Sequence, residues 1–167
     1  DPAEVILALM ASGVPDIRTF PWLEPPPSLA FERTMRLLET LGAMDPKTGE
    51  LTDTGTQLAS FPVHPRYGRM LLSAADRGCV PTAALIAALT QEPHLLTAAC
   101  HREGSTFFRP GQTSDFFPLI DAWRYARAHA YHGPACRAAG LDPAGARRVE
   151  RLKNWFVRVA NQQGLPA

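Results

Sequence analysis

Along most of this chain apolar residues recur at helical rather than strand spacing. Val5, Leu7, Ala8 and Ala11 fall near that spacing, Gly13 closes the segment and Pro15 prevents its return, which predicts a helix over residues 3–12. Pro25-Pro26-Pro27 then brakes the chain. Beyond it Phe31, Met35, Leu38 and Leu41 mark one buried helix face, with Ser28 placed to cap the start and Gly42 to permit a left-handed stop. Thr52 is placed to cap the following helix, Asp53 adds negative charge at its first turn, and Phe61-Pro62-Val63-His64-Pro65 halts it. Residues 43–51, between these helices, are short enough for a small hairpin arm. Helix, tight turn, short strand and helix, with apolar anchors at each corner, is the pattern of a winged helix.

From Arg66 onward the pattern predicts a helical bundle. Met70, Leu71, Ala74 and Ala75 form a face ended by Gly78. Pro81 can open a helix whose stripe is Leu85, Ile86 and Leu89, and Pro93 ends it. Residues 94–114 lack periodicity, hold His94, His101, Glu103, Gly104, Pro110 and Gly111, and read as a long loop. Pro118 belongs in the first turn of the next helix, because inside a helix it would clash with a preceding carbonyl; the start therefore falls at or just after Asp115, whose carboxylate is the natural cap. Phe116, Leu119, Ile120 and Trp123 line that helix. Gly133-Pro134 breaks the chain, and Asp142-Pro143 starts a last helix running to about Gly164, with Val149, Leu152, Phe156 and Val159 on its buried face. The fold class expected is mainly α: a linker helix in residues 1–19, a small winged-helix module in 20–68 and a helical bundle in 69–167.

Composition narrows the function classes. The 167 residues are 46% apolar and 20% charged, with no apolar run long enough to span a membrane and no basic-then-apolar leader. The chain opens on Asp1 rather than Met, and is expected to be a piece of a longer protein. Three cysteines, none in a CxxC, are expected as buried free thiols in a reducing, cytoplasmic setting. The formal charge of +1 hides an asymmetry. Residues 1–65 carry four basic and nine acidic side chains, whereas residues 66–167 carry thirteen basic and seven acidic. The basic groups are arginines except Lys47 and Lys153, a bias that suits forked contacts to phosphate and that a GC-rich genome would also produce.

Candidate chemistry is sparse. No Gly-rich loop ending in Lys-Ser/Thr is present, so no phosphate cradle for ATP is expected within these residues, and neither is any catalytic residue. His129, His132 and Cys136 have zinc-ligand spacing, but Gly133-Pro134 cuts the run and a fourth ligand would have to come from Cys100-His101; no metal is expected. His64, between prolines, reads as packing. Two nucleic-acid signals stand out. Gln112, Thr113 and Ser114 are polar donors at a helix start, where free N–H groups and the helix dipole favour phosphate. Arg147, Arg151 and Arg158 share a stripe of the last helix with Asn154, bordered by Trp155, a combination that binds single strands.

Residues 20–72 also resemble a known family. An aromatic, an acidic residue before prolines, a helix to Leu41-Gly42-Ala43, an acidic residue, Leu51-Thr52 with Gly55, an aliphatic residue between Pro62 and Pro65, and a Met- and Leu-rich helix follow the order seen after the motor of DEAH-box RNA helicases. Ser114-Asp115-Phe116, followed by Trp123 and Tyr125, is similar to the stretch found in bacterial members, as are Ala135-Cys136-Arg137 and the closing helix from Arg147 to Val159. Eukaryotic members usually carry Gly-Asp-His where Ser114-Asp115-Phe116 stands here, so no contact by that histidine carries over. The resemblance implies a winged helix followed by a ratchet-like bundle, a RecA-like motor upstream that holds ATP and Mg2+, an OB-fold downstream where one is present, and single-stranded RNA, or DNA, as the polymer. Within these residues it implies no cofactor. It implies a non-catalytic accessory region that lines the strand channel and couples it to the motor.

Two rival readings differ in class. A free-standing winged-helix regulator of duplex DNA needs a basic recognition helix, yet Thr52 to Phe61 contains no Arg or Lys. A protein–protein adaptor would dock a partner on apolar surface, and would lack salt-dependent binding of single-stranded RNA.

Overall fold

A computed structural model describes residues 2–92, 94–97, 100, 107–109 and 111–166. Its helices are α1 (Ala3–Ala11), α2 (Ser28–Thr40), α3 (Asp53–Ala59), α4 (Pro65–Ala75), α5 (Val80–Thr90), α6 (Phe116–Ala128), α7 (Gly133–Ala138) and α8 (Pro143–Gln162). β pairing among the described residues consists of two isolated antiparallel bridges, Met44 with Leu51 and Leu96 with Leu141. The mainly α class expected from the sequence is what forms. The chain divides into two compact units, Asp1–Asp76 and Arg77–Ala167. No helix of the described residues is long and apolar enough to cross a membrane.

In the first unit α1 packs on α2 and α3, and α3 on α4. Ile6, Leu7, Phe31, Leu38, Ala43, Met44 and Leu58 form its core, with Met35 and Leu41 partly buried beside them. The arm over 43–51 is a hairpin. Asp45 N–H donates to the Glu50 carbonyl, Thr52 N–H donates to the Ala43 carbonyl, and Asp45 Oδ1 accepts from Lys47 and Thr48 N–H at its tip. Those two N–H donors hold the Asp45 carboxyl below the usual range. Thr52 caps α3 as expected: Oγ1 accepts from Gly55 N–H at 3.0 Å and donates to the Gly42 carbonyl at 2.5 Å. Ser28 does not cap α2. The N-cap position is Pro27, whose φ of −52° and ψ of 139° continue the extended proline run and leave the helix start without a side-chain acceptor. α4 buries Pro65, Gly68, Leu71 and Ala74, so its inner face lies one step round from the expected Met70 and Ala75. His64 is its N-cap, with Nδ1 accepting from Arg66 N–H, and burial pushes its ring below the ordinary histidine range.

In the second unit α5 is buried on nearly every side. Val80, Ala83, Ala84, Leu85, Ala87, Ala88 and Leu89 are all inside, a wider set than the stripe of Leu85, Ile86 and Leu89. Alanine makes this possible, because its short side chain lets neighbouring helices approach all round. α8 lies along α5 and buries Val149, Phe156 and Val159, with Leu152 partly covered. α6 joins them through Ile120, Ala122, Trp123 and Ala126. Asp142 caps α8 by accepting from Ala144 and Gly145 N–H. Asp115 stands at the N-cap of α6, but its side chain makes no cap bond; Ser114 Oγ accepts from Phe116 N–H at 3.3 Å instead. Asp115 adopts helical φ and ψ, and a capping side chain needs an extended backbone to reach the first-turn N–H groups.

Of the segment expected as a loop, 94–114, the described residues form no α-helix. Leu95 is fully buried, Thr97 N–H and Oγ1 both donate to the Gly140 carbonyl, and Asp142 N–H donates to the Leu95 carbonyl. Pro93, His101, Glu103, Gly104 and Pro110 lie outside the described residues.

Candidate nucleic-acid interface

Both sets of sequence-expected contacts lie in the second unit. The helix α8 is two-faced: one side is core, and on the other Arg147, Arg151, Asn154 and Arg158 are exposed. Arg147, Arg151 and Arg158 are four and seven residues apart, which places them in one row on the helix. Arg151 and Arg158 form no ion pair or hydrogen bond with another described residue. Arg147 differs, because its Nη2 donates to the Tyr131 carbonyl at 3.1 Å. Trp155 is half-buried, its ring 5.0 Å from that of Phe156, so the indole borders the stripe and also packs on the core.

The Tyr131 contact explains why Arg147 is occupied. Ala130 and Tyr131 both have left-handed backbone, φ 49° and 56°, at the turn after α6. Two successive non-glycine residues in that region are strained and persist only where neighbours over-determine them. Here Tyr131 N–H donates to the Ala126 carbonyl, Tyr131 Oη donates to Glu150 Oε2 at 3.1 Å, and Arg147 holds the carbonyl. Burial and the Glu150 carboxylate push the Tyr131 hydroxyl up to about 12.

Gln112, Thr113 and Ser114 come together at the start of α6. Gln112 is spent on the loop itself: Oε1 accepts from Arg109 N–H at 3.0 Å and Nε2 donates to the Phe107 carbonyl at 3.1 Å. Thr113 is exposed, and Ser114 is engaged with Phe116 N–H. Among the described residues no hydrogen bond or ion pair joins this group to the α8 stripe.

Three arrangements escaped the sequence reading. Arg148, neighbour of the expected Arg147, is half-buried and makes a two-pronged pair with the buried Glu92, Nε–Oε2 2.6 Å and Nη2–Oε1 3.0 Å, and also meets Asp142 Oδ2 at 3.1 Å. The guanidinium holds the Glu92 carboxyl below the usual range although burial opposes this. Arg127 and Lys153 both lie over the Trp123 ring, at 5.5 and 5.3 Å, while its buried Nε1 finds no hydrogen-bond partner among the described residues. Arg109 and Arg124 share Asp121 at 3.5 and 3.6 Å. The i,i+3 pairing of Asp121 with Arg124 and the i,i+4 placement of Arg127 over Trp123 are local patterns that sequence spacing could have flagged.

The zinc-spaced residues are used otherwise. His129 Nδ1 lies 2.8 Å from the Tyr125 carbonyl and its ring stacks on Tyr125 at 4.1 Å. Cys136 is fully buried, and burial pushes its thiol up. No group of three or more His, Cys, Asp or Glu among the described residues is placed to hold a metal.

Two family models match the chain over residues 34–119: helicase-associated domain (HA2), winged-helix, over residues 34–63, and helicase-associated domain (HA2), ratchet-like, over residues 64–119. It is 35% identical to ATP-dependent RNA helicase HrpA of Escherichia coli over 178 residues, covering 98% of this chain and 14% of that protein. It is 36% identical to the HrpA homolog of Haemophilus influenzae over 138 residues, 74% of this chain and 10% of that one. A probable ATP-dependent RNA helicase of Caenorhabditis elegans, the DHX35 homolog, is 41% identical over 162 residues, 94% of this chain and 22% of its own length. The chain thus spans a small part of each relative. With a winged-helix part followed by a ratchet-like part, it belongs to the helicase-associated (HA2) family of DEAH-type RNA helicases, as an accessory region of such an enzyme.

Proposed function

We propose that this region borders the path of a single RNA strand in an ATP-dependent RNA helicase and couples that strand to a RecA-like motor upstream, where ATP and Mg2+ are held. The observation that carries the reading is the α8 stripe. Arg151 and Arg158 are exposed, aligned and unpaired among the described residues, beside a half-buried indole on a helix whose other face is anchored in the core. A rigid row of cations with a stacking ring suits a flexible polyanion. The acidic balance of residues 1–65 suits a structural role for the winged helix, since a groove reader carries positive charge. Catalysis is placed in the motor and not in these residues.

The test is fluorescence anisotropy of a labelled single-stranded oligouridylate across a salt series. Arg151→Ala/Arg158→Ala is expected to weaken binding and to flatten the plot of log affinity against log salt by about 0.7 for each phosphate no longer neutralised. Binding and slope equal to the parent, with unchanged circular dichroism, would refute the stripe.

A further inference from the structure

The groove at the start of α6 has features that phosphate binding alone does not use. Arg109, Gly111, Gln112, Thr113, Phe117 and Asp121 line it. Phe117 is 46% exposed at the second position of α6, an unusual place for a large ring. The described residues opposite, 107–109 and 111–112, are tied down. Phe107 is buried, with its ring 5.7 Å from Tyr125 and edge-on to it, and Gln112 ties both the Phe107 carbonyl and the Arg109 N–H. Asp121 holds two largely exposed guanidiniums, Arg109 and Arg124, at the rim, so the pair of cations exceeds the one carboxylate by a unit of charge.

We propose that this groove is a nucleotide subsite for the same RNA strand: a base stacks on Phe117 while its phosphate meets Arg109 and the Thr113 hydroxyl. The inference rests on the strand-binding reading above and adds a base-contacting residue to it. An exposed ring beside exposed cations is complementary to a unit that carries both a π-face and a negative charge. Gln112 then acts as a positioning residue, because both ends of its amide hold the loop that carries Arg109.

The experiment compares two probes on this chain, a labelled oligouridylate and a strand of equal length whose bases are replaced by abasic sites. Phe117→Ala is expected to weaken oligouridylate binding about five- to tenfold, with the salt slope unchanged. Phe117→Trp keeps the affinity. The abasic strand binds parent and Phe117→Ala alike. Arg109→Ala reduces the salt slope by about 0.7 on both probes. Parent-like oligouridylate binding by Phe117→Ala, or an equal loss on the abasic strand, overturns the subsite. Displacement of the strand from this groove by polyglutamate at lower concentration than by unlabelled oligouridylate overturns it in favour of an acidic protein partner. Weaker binding in Arg151→Ala/Arg158→Ala but not in Phe117→Ala leaves the stripe standing and removes the subsite; the reverse removes the stripe. No binding by the parent chain overturns both.

Discussion

Two helices in this chain start with the same device and use it against different neighbours. α3 begins Thr52-Asp53-Thr54-Gly55 and α8 begins Asp142-Pro143-Ala144-Gly145, each with a side-chain oxygen at the N-cap that accepts from the N–H of the glycine three residues on. Both glycines are buried. At Gly55 the missing side chain admits backbone: a Cβ there would lie 2.0 Å from the Ala43 carbonyl oxygen and 2.7 Å from Leu51 Cδ1. At Gly145 it admits charge: a Cβ would lie 3.0 Å from Asp142 Oδ2 and 3.4 Å from Arg148 Nη2 and Glu92 Oε1. The winged-helix part is therefore pinned by main chain against main chain. The ratchet-like part is pinned by a cap that is also one arm of an ion-pair network. Main chain in a hairpin cannot step aside, whereas the ends of side chains can.

The widest gap between the two regions should show in Gly55→Ala. The methyl has to push α3 off the hairpin, at a cost of about 3 kcal/mol or more in urea unfolding; a cost below about 1 kcal/mol would break the comparison. Glu92→Gln comes next, at about 2 kcal/mol near neutral pH, because the Arg148 guanidinium keeps its charge but loses the carboxylate that balances it. Its pH dependence has a definite sign. The Glu92 carboxyl is held below its ordinary 4.5, so its stabilisation is present above that pH and lost as the pH falls below it. The two unfolding midpoints should converge on acidification below about 4.5, and a constant gap would show that the charge is not what matters. Gly145→Ala is expected to be smallest, within about 1 kcal/mol of the parent, since the gain in helix propensity of about 1 kcal/mol offsets a shift of side-chain tips. A destabilisation as large as that of Gly55→Ala would erase the distinction.

What could be read in advance was local. The Thr52 and Asp142 caps, the faces of α2 and α8, and the hairpin between Ala43 and Leu51 are all written within a turn or two of sequence. Ser28 and Asp115 failed as caps for a local reason too: a proline run and a helical backbone decide where the N-cap oxygen points, and residue type alone does not show it. The non-local features were hidden. Glu92 and Arg148 are 56 positions apart, and the bridge of Leu96 to Leu141 spans a comparable stretch, so no periodicity marks either. The same blindness touched the candidate site. Arg147 and Arg148 look alike in sequence; one serves a strained carbonyl and the other a buried carboxylate, leaving Arg151 and Arg158 as the exposed members without a partner among the described residues. Gln112, expected as a donor for a ligand, also ties the Arg109 N–H and the Phe107 carbonyl, a local bond that residue type alone does not show.

The commitment of Arg147 to the turn at Tyr131 sets a measuring length. Arg151 and Arg158 are separated by two helical turns, roughly 10 Å at about 1.5 Å per residue. A stacked strand advances about 3.4 Å per nucleotide. If a strand runs along this row as proposed, the two positions stand about three stacked nucleotides apart, and a shift of one helical turn would cover only half of that gauge.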